Sequence, residues 1–330
     1  MNLLTVENLT VTLATGSGEA QAVRNLSFNV GRGEILGVAG ESGSGKTMTA
    51  LSMLGLLPYK GKATGSIKFD GREVLTSTKR EYRDLRGKDI AMIFQDPMTS
   101  LHPMLTVEVQ LTEHLRHHRK VSKDAARNSA LELLATVKIP EPAAALKAHP
   151  SQFSGGMRQR IAIAMALACE PKLLIADEPT TALDVTVQAG ILKLLHQLRD
   201  ERNLSVMVIT HDLGVLSSLT DRIMIMYAGS EVESGLTKDL LQNPRHPYTK
   251  GLIAALPGNS VSNSKSLLSI EGMPPELGKF PSGCAFHTRC TFAKESCKSG
   301  TPAVMDLTPS HRIYCPVNPF ADASNSGSKS

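Results

Sequence analysis

Long apolar runs are missing from this 330-residue chain. None approaches the ~20 residues that a bilayer-spanning helix needs, so any work at a membrane requires other subunits to do the spanning. The opening MNLLTVENLTVTL lacks a basic start and a cleavage site, and reads as a strand instead of a secretion signal. A large charge excess is missing too. Lys+Arg of 36 against Asp+Glu of 31 gives +5, spread along the chain, which fits a solvated surface better than a nucleic-acid interface. Tryptophan is absent, but 41% hydrophobic and 20% charged residues are ordinary for a globular protein. The length allows two domains, or one large domain with an appendage.

The early chain is rich in strand patterns. Residues 1–13, 25–30 and 65–70 alternate apolar and polar positions, the last before a turn at Asp70-Gly71. Between them, 34–39 is a continuous apolar run, as expected of a strand buried on both faces. It leads into Gly40-Glu41-Ser42-Gly43-Ser44-Gly45-Lys46-Thr47, and a helical pattern follows over 48–57. Strand, G-x-x-x-x-G-K-[ST] and helix together make a phosphate-binding loop. Its glycines let backbone N–H groups close on phosphates, and the helix N-terminus adds a favourable field. Lys46 is expected to reach the β- and γ-phosphates, and the Thr47 hydroxyl to ligate Mg²⁺.

Three further buried-type runs each end in a chemically capable residue. They are 90–94 before Gln95, 172–176 before Asp177-Glu178, and 206–210 before His211. Ligands of open parallel sheets bind at the carboxyl ends of the strands, so these ends are expected to serve one phosphate site. A lone His after a strand is ordinarily a surface residue; the set in this order is more specific.

About 110 residues beyond the loop stands Ser154-Gly155-Gly156-Met157-Arg158-Gln159, opening a helix with Ile161, Met165 and Ala168 at helical spacing. This element, between such a loop and such a strand, resembles the signature of ATP-binding-cassette ATPases. The resemblance implies an α/β P-loop cassette: a mixed-sheet core with an antiparallel β subdomain, a helical subdomain over about 96–170, and ATP and Mg²⁺ as ligands. It implies Asp177 as a Mg²⁺ holder and Glu178 as the group orienting the attacking water. Gln95 would sense the metal and the water, and His211 would touch the γ-phosphate. Ser154, Gly155, Gly156 and Gln159 would close on ATP held by a second cassette, with Asp184 in the loop that crosses to that partner. Two departures stand out. Phe153 replaces the usual Leu, and residues 9–27 hold no Phe, Tyr or Trp to stack on adenine; the base contact is left open between Val23 or Leu13 and a neighbouring region of the chain.

Residues 124–137 repeat apolar positions at three- and four-residue spacing until Pro140 and Pro142. His114, His117 and His118 lie at helical spacing; a solvated basic face is expected there in preference to a metal site, since no fourth ligand accompanies them.

The last third narrows the family. Asn243-Pro244-Arg245-His246-Pro247-Tyr248-Thr249 resembles the hallmark of the oligopeptide/dipeptide importer ATPases. Domain limits of 1–256 for the cassette, 257–320 for an extension and 321–330 for a disordered tail are expected, with a linker over 258–265. Four of the five cysteines, Cys284, Cys290, Cys297 and Cys315, lie in the extension with gaps of 5, 6 and 17 residues. Such a cluster suits metal better than disulfides in a chain of this kind, but lacks the CxxC pairs of structural zinc. A 4Fe–4S cluster, zinc and free thiols stay open on the residues alone; the resemblance implies the Fe–S cluster, which members of the subfamily carry there. It also implies a peptide importer at the cytoplasmic face of the membrane: a related, non-identical second ATPase, two membrane permeases and an extracytoplasmic binding protein. A nickel or metallophore importer is the alternative, and a nucleic-acid-acting cassette the more distant one.

Overall fold

The computed structural model describes residues 2–16, 18–95, 100–181, 183–256 and 270–320. The linker at 258–265 and the tail at 321–330 lie outside them. The strands run, in chain order, β1 (Asn2–Thr15), β2 (Gly18–Gly31), β3 (Ile35–Ala39), β4 (Lys62–Phe69), β5 (Arg72–Glu73), β6 (Ile90–Ile93), β7 (Leu173–Asp177), β8 (Ser205–Thr210), β9 (Arg222–Tyr227), β10 (Ser230–Leu236), β11 (Met305–Thr308) and β12 (His311–Ile313). Two compact units interleave along the chain. One holds 1–4, 29–35 and 68–209; the other holds 5–28, 36–67 and 210–330.

In the first unit β6, β7 and β8 pair in parallel, Ile90 opposite Leu173 and Leu173 opposite Ser205. Every residue of β7 and β8 is buried, the fate expected of apolar runs covered on both faces. The second of the three buried runs was expected at 172–176, and β7 occupies Leu173–Asp177. Lys172 is exposed, and the strand shifts forward so that Asp177 closes it. The segment expected to be helical contains Val107–Arg119, Lys123–Thr136, Pro142–Lys147 and Gly155–Leu167. Thr106 and Ser122 cap the first two by accepting from Val109 N and Ala125 N, which satisfies amides that the helix itself cannot. Pro142 does not end a helix here; it starts one, at the position where its missing N–H costs nothing.

In the second unit the body of the N-terminal sheet runs in the order β2-β1-β4. Only two residues separate β1 from β2, a link that fits only antiparallel strands. The helix after β3 is Lys46–Met53, starting two residues before the expected 48–57 and ending four residues before it. Gly55, at φ +59, turns the chain. Its N–H bonds Ser52 O and the next N–H, of Leu56, bonds Leu51 O, the paired bonds of a glycine-terminated helix. The other sheet of this unit runs β3-β9-β10-β12-β11. β3 and β9 are parallel; β10 pairs antiparallel with β9 on one side and with β12 on the other. The C-terminal segment, expected as an appendage, therefore extends this sheet.

Candidate functional site

All five residues of β3 are buried, and the strand delivers Gly40–Thr47 as a loop in the second unit. Gly45 stands at φ +98, where a Cβ would meet Ala22 O at 2.6 Å, so the loop needs glycine there for conformation and for space. Lys46 Nζ donates to Gly40 O at 2.7 Å, Glu41 O at 2.9 Å and Ser44 Oγ at 3.3 Å. The ammonium is thus folded onto the loop and 7% exposed, and these oxygens supply the hydrogen bonds a buried charge requires. Ser42 and Gly43 are exposed at the loop tip, and Thr47 is half-buried behind Lys46. His211 follows β8 and is exposed. The turn behind it is fixed by Asp212, whose N–H bonds Thr210 Oγ1 at 3.0 Å and whose carboxylate caps the helix Leu213–Leu219.

In the first unit Asp177 is buried at the end of β7. Glu178 has φ +47, a left-handed backbone that costs a non-glycine residue energy and recurs at functional positions. Its N–H bonds Ile209 O at 2.8 Å. Its Oε2 accepts from Gln95 Nε2 at 3.0 Å and from Thr181 Oγ1 at 2.8 Å. Gln95 and Glu178, 83 residues apart in sequence, are brought together. Thr181 was missed in the sequence; a hydroxyl three residues after an acid at a strand end was the available signal.

The helix Gly155–Leu167 is capped by Ser154, whose exposed Oγ accepts from Met157 N at 3.3 Å. A Cβ on Gly156 would lie 2.4 Å from Val187 Cγ1, so the missing side chain lets this helix meet the helix Val185–Arg202. Asp184 caps that second helix, accepting from Val187 N at 2.9 Å. Gly156 and Asp184 therefore both meet Val187, with Ser154 two residues before Gly156 as the cap of the same helix. Gln159 is not presented with them: it is 1% exposed, one helical turn inward. Phe153 is buried, so the exchange for Leu keeps its packing.

Of the two residues of this segment open to contact a base, Val23 is wholly buried and offers no surface, while Leu13 is half-buried. The extension brings an aromatic to the same strand instead, with the Arg24 guanidinium 4.9 Å from the Phe280 ring centre. On the helix Val107–Arg119, the rings of His114 and His117 both stand edge-on to His118, at 4.9 and 4.8 Å. Burial, then the charge of His118, depresses the pKa of His114.

Cys284, Cys290, Cys297 and Cys315 are free thiols that line one cavity together with His246 and Phe286. Each sulfur receives backbone N–H groups: Phe286 to Cys284, Phe292 to Cys290, Val317 and Asn318 to Cys315, and Lys294 to Cys297 at 3.5 Å. Burial, and then the neighbouring sulfurs, push the Cys284 thiol up to about 11 against that help. Cys290 and Cys315 move the same way, burial first. Among the described residues, no three or more His, Cys, Asp or Glu side chains are placed to hold a metal ion, so the expected four-cysteine centre is not present as a mononuclear site.

Glu233, wholly buried on β10, accepts from Arg245 N at 2.8 Å and His246 N at 2.9 Å, and pairs with His311 Nε2 at 2.8 Å. His246 Nδ1 accepts from Tyr248 N at 3.1 Å, while its Nε2 is buried without a partner.

Residues 23–181 match the family model described as ABC transporter, and 232–297 match that of the oligopeptide/dipeptide transporter C-terminal region. The chain is 49% identical over 315 residues to the dipeptide transport ATP-binding protein DppD of Bacillus subtilis, covering 95% of this chain and 94% of that protein. It is likewise 49% identical over 300 residues to the oligopeptide transport ATP-binding protein OppD of Salmonella typhimurium, covering 91% and 89%. Among solved structures, a dimeric post-hydrolysis state of the cassette MJ0796 bound to ADP and phosphate is 30% identical. It superposes with a TM-score of 0.64 over 71% of this chain and 98% of that one.

Proposed function

The chain belongs to the ATP-binding-cassette transporter family, among its dipeptide and oligopeptide transport ATP-binding proteins, and from that premise we propose that it drives a peptide importer. It is an ABC ATPase. Its proposed place is the cytoplasmic face of the membrane, held there by two permeases that a binding protein serves from outside. No described helix is long and apolar enough to cross a membrane, which is consistent with a peripheral subunit. Proteins similar to it are named for dipeptides and oligopeptides, which favours peptide cargo over nickel.

In the proposed mechanism Gly40–Thr47 wraps the phosphates. Triphosphate oxygens replace the carbonyls that Lys46 now contacts, exchanging dipole partners for charged ones. Thr47 and Asp177 would hold Mg²⁺, which when bound neutralises charge on the transferring phosphoryl group. Glu178 orients the attacking water, and His211 contacts the γ-phosphate. Ser154 and the amides of Gly155 and Gly156 face the nucleotide of a second, related ATPase, with Asp184 at the same seam. Two cassettes then share two ATP molecules, and a single chain hydrolyses slowly.

The observation that carries this reading is the Glu178 carboxylate, held by Gln95 and Thr181 on a strained backbone. Glu178→Gln should retain ATP binding and stop both steady-state hydrolysis and uptake of a labelled dipeptide. Hydrolysis at the wild-type rate would remove Glu178 from its role.

A 4Fe–4S cluster on the four cysteines is the finer part of the proposal. Thiolates on a cubane stand further apart than ligands of one ion, so a cavity that holds no mononuclear geometry is compatible with it. The four cysteines line one cavity, each sulfur accepting from backbone N–H, and a cationic core would offset the mutual repulsion of bound thiolates. His246 Nε2, buried and unpartnered beside them, is a donor in search of an acceptor such as cluster sulfide. When bound, the cluster supplies cross-linking. Anaerobically purified protein should carry iron and sulfide in equal amounts; stoichiometric zinc would overturn the assignment.

A further inference from the structure

Glu41 is an odd residue for a loop that receives a triphosphate, because its charge has the sign of the ligand. It is held at three points. Its carbonyl accepts from Lys46 Nζ, and its N–H bonds the Tyr248 hydroxyl at 2.9 Å. Its carboxylate meets Arg289 two-pronged: Nη1 to Oε2 at 2.6 Å and Nη2 to Oε1 at 3.1 Å. Arg289 is fixed from behind, its Nε donating to Glu271 O at 2.9 Å and Nη2 to Ile270 O at 3.3 Å. Nη1 also reaches the Tyr227 hydroxyl at 3.3 Å. The arginine side chain is 4% exposed and the glutamate 27%. A paired, buried guanidinium fork of this kind carries both charge and direction, which a lysine does not reproduce.

We infer that Arg289, on the cysteine-bearing segment, is a positioning residue for the phosphate loop: it turns the Glu41 carboxylate away and neutralises it, so nucleotide affinity depends on the C-terminal extension. The inference rests on the reading that Gly40–Thr47 binds ATP. Without Arg289 the carboxylate stands unpaired beside the phosphates. Its repulsion acts on binding, while the groups assigned to the attacking water, Glu178 and Gln95, are unaltered. KM for ATP should therefore rise with kcat largely kept.

The test measures Mg²⁺-ATP affinity of the full chain by fluorescent-nucleotide displacement. Arg289→Ala should weaken binding about five- to tenfold, the size of one charge-assisted contact. Adding Glu41→Gln to that variant should restore affinity to within about twofold of wild type, since the repelling charge is gone. Arg289→Lys keeps charge and most of the stem; it should fall between wild type and alanine, and it carries the test should the alanine variant not fold. Unchanged affinity in Arg289→Lys and Arg289→Ala would overturn the inference. So would a double variant as weak as Arg289→Ala alone, which would make the arginine a structural tether only. Failure of the wild-type chain to bind Mg²⁺-ATP would instead sink the reading of the loop itself.

Discussion

A single imidazole shows how much burial alone can set. His246 has its Nδ1 lone pair taken by Tyr248 N–H and is 1% exposed, so a proton on it meets little solvation. Burial pushes its pKa from the ordinary 6.5 down to about 4, against a weaker opposing pull from Glu233. Between those values the unfolded chain holds the extra proton, so stability rises with pH. The contribution is complete above about 6.5 and is lost as pH falls towards 4, at up to about 1.4 kcal/mol per pH unit. Urea unfolding midpoints at pH 7, 6 and 5 should fall in that order, and the decline should flatten in His246→Gln. Residues of this kind are hard to see in a sequence. The motif around His246 was legible as a family mark, but its carboxylate partner Glu233 lies 13 residues away and inside a strand. The Glu41–Arg289 pair, 248 residues apart, left no local trace at all.

At the level of the element, local rules worked where the signal was local. The run before the phosphate loop is apolar from Ile35 onward and became a wholly buried strand, and Ser154 and Asp184 sit as helix caps before helical patterns. The helix Lys46–Met53 was overextended because Leu54, Leu56 and Leu57 continue its apolar pattern, while Gly55 turns the backbone against it. The two glycines of the signature look equivalent in sequence, and the packing separates them. A Cβ at Gly155 would sit 3.5 Å from Leu183, an ordinary contact, whereas at Gly156 it would drive into Val187. Gly156→Ala should therefore cost about 1–3 kcal/mol, as overpacking against a β-branched side chain does. Gly155→Ala should stay within about 0.5 kcal/mol. Calorimetric melting of both variants separates them, and equal Tm losses would contradict the packing described.

For the whole molecule, fold class and nucleotide chemistry were the legible part, because a loop, a signature and strand ends in fixed order leave few alternatives. The route of the C-terminal segment was not, since β11 and β12 are short and their partner β10 is far upstream. That route has a consequence in time. Ser234 on β10 waits for Arg312, 78 residues later, to complete its edge. At about 5–20 residues per second, a ribosome takes several seconds to deliver it. During that interval the strand offers unpaired backbone to any neighbour, as an open sheet edge does, and Glu233 has yet to meet His311. The newborn cassette is thus most vulnerable to misassociation while its last segment is still being made.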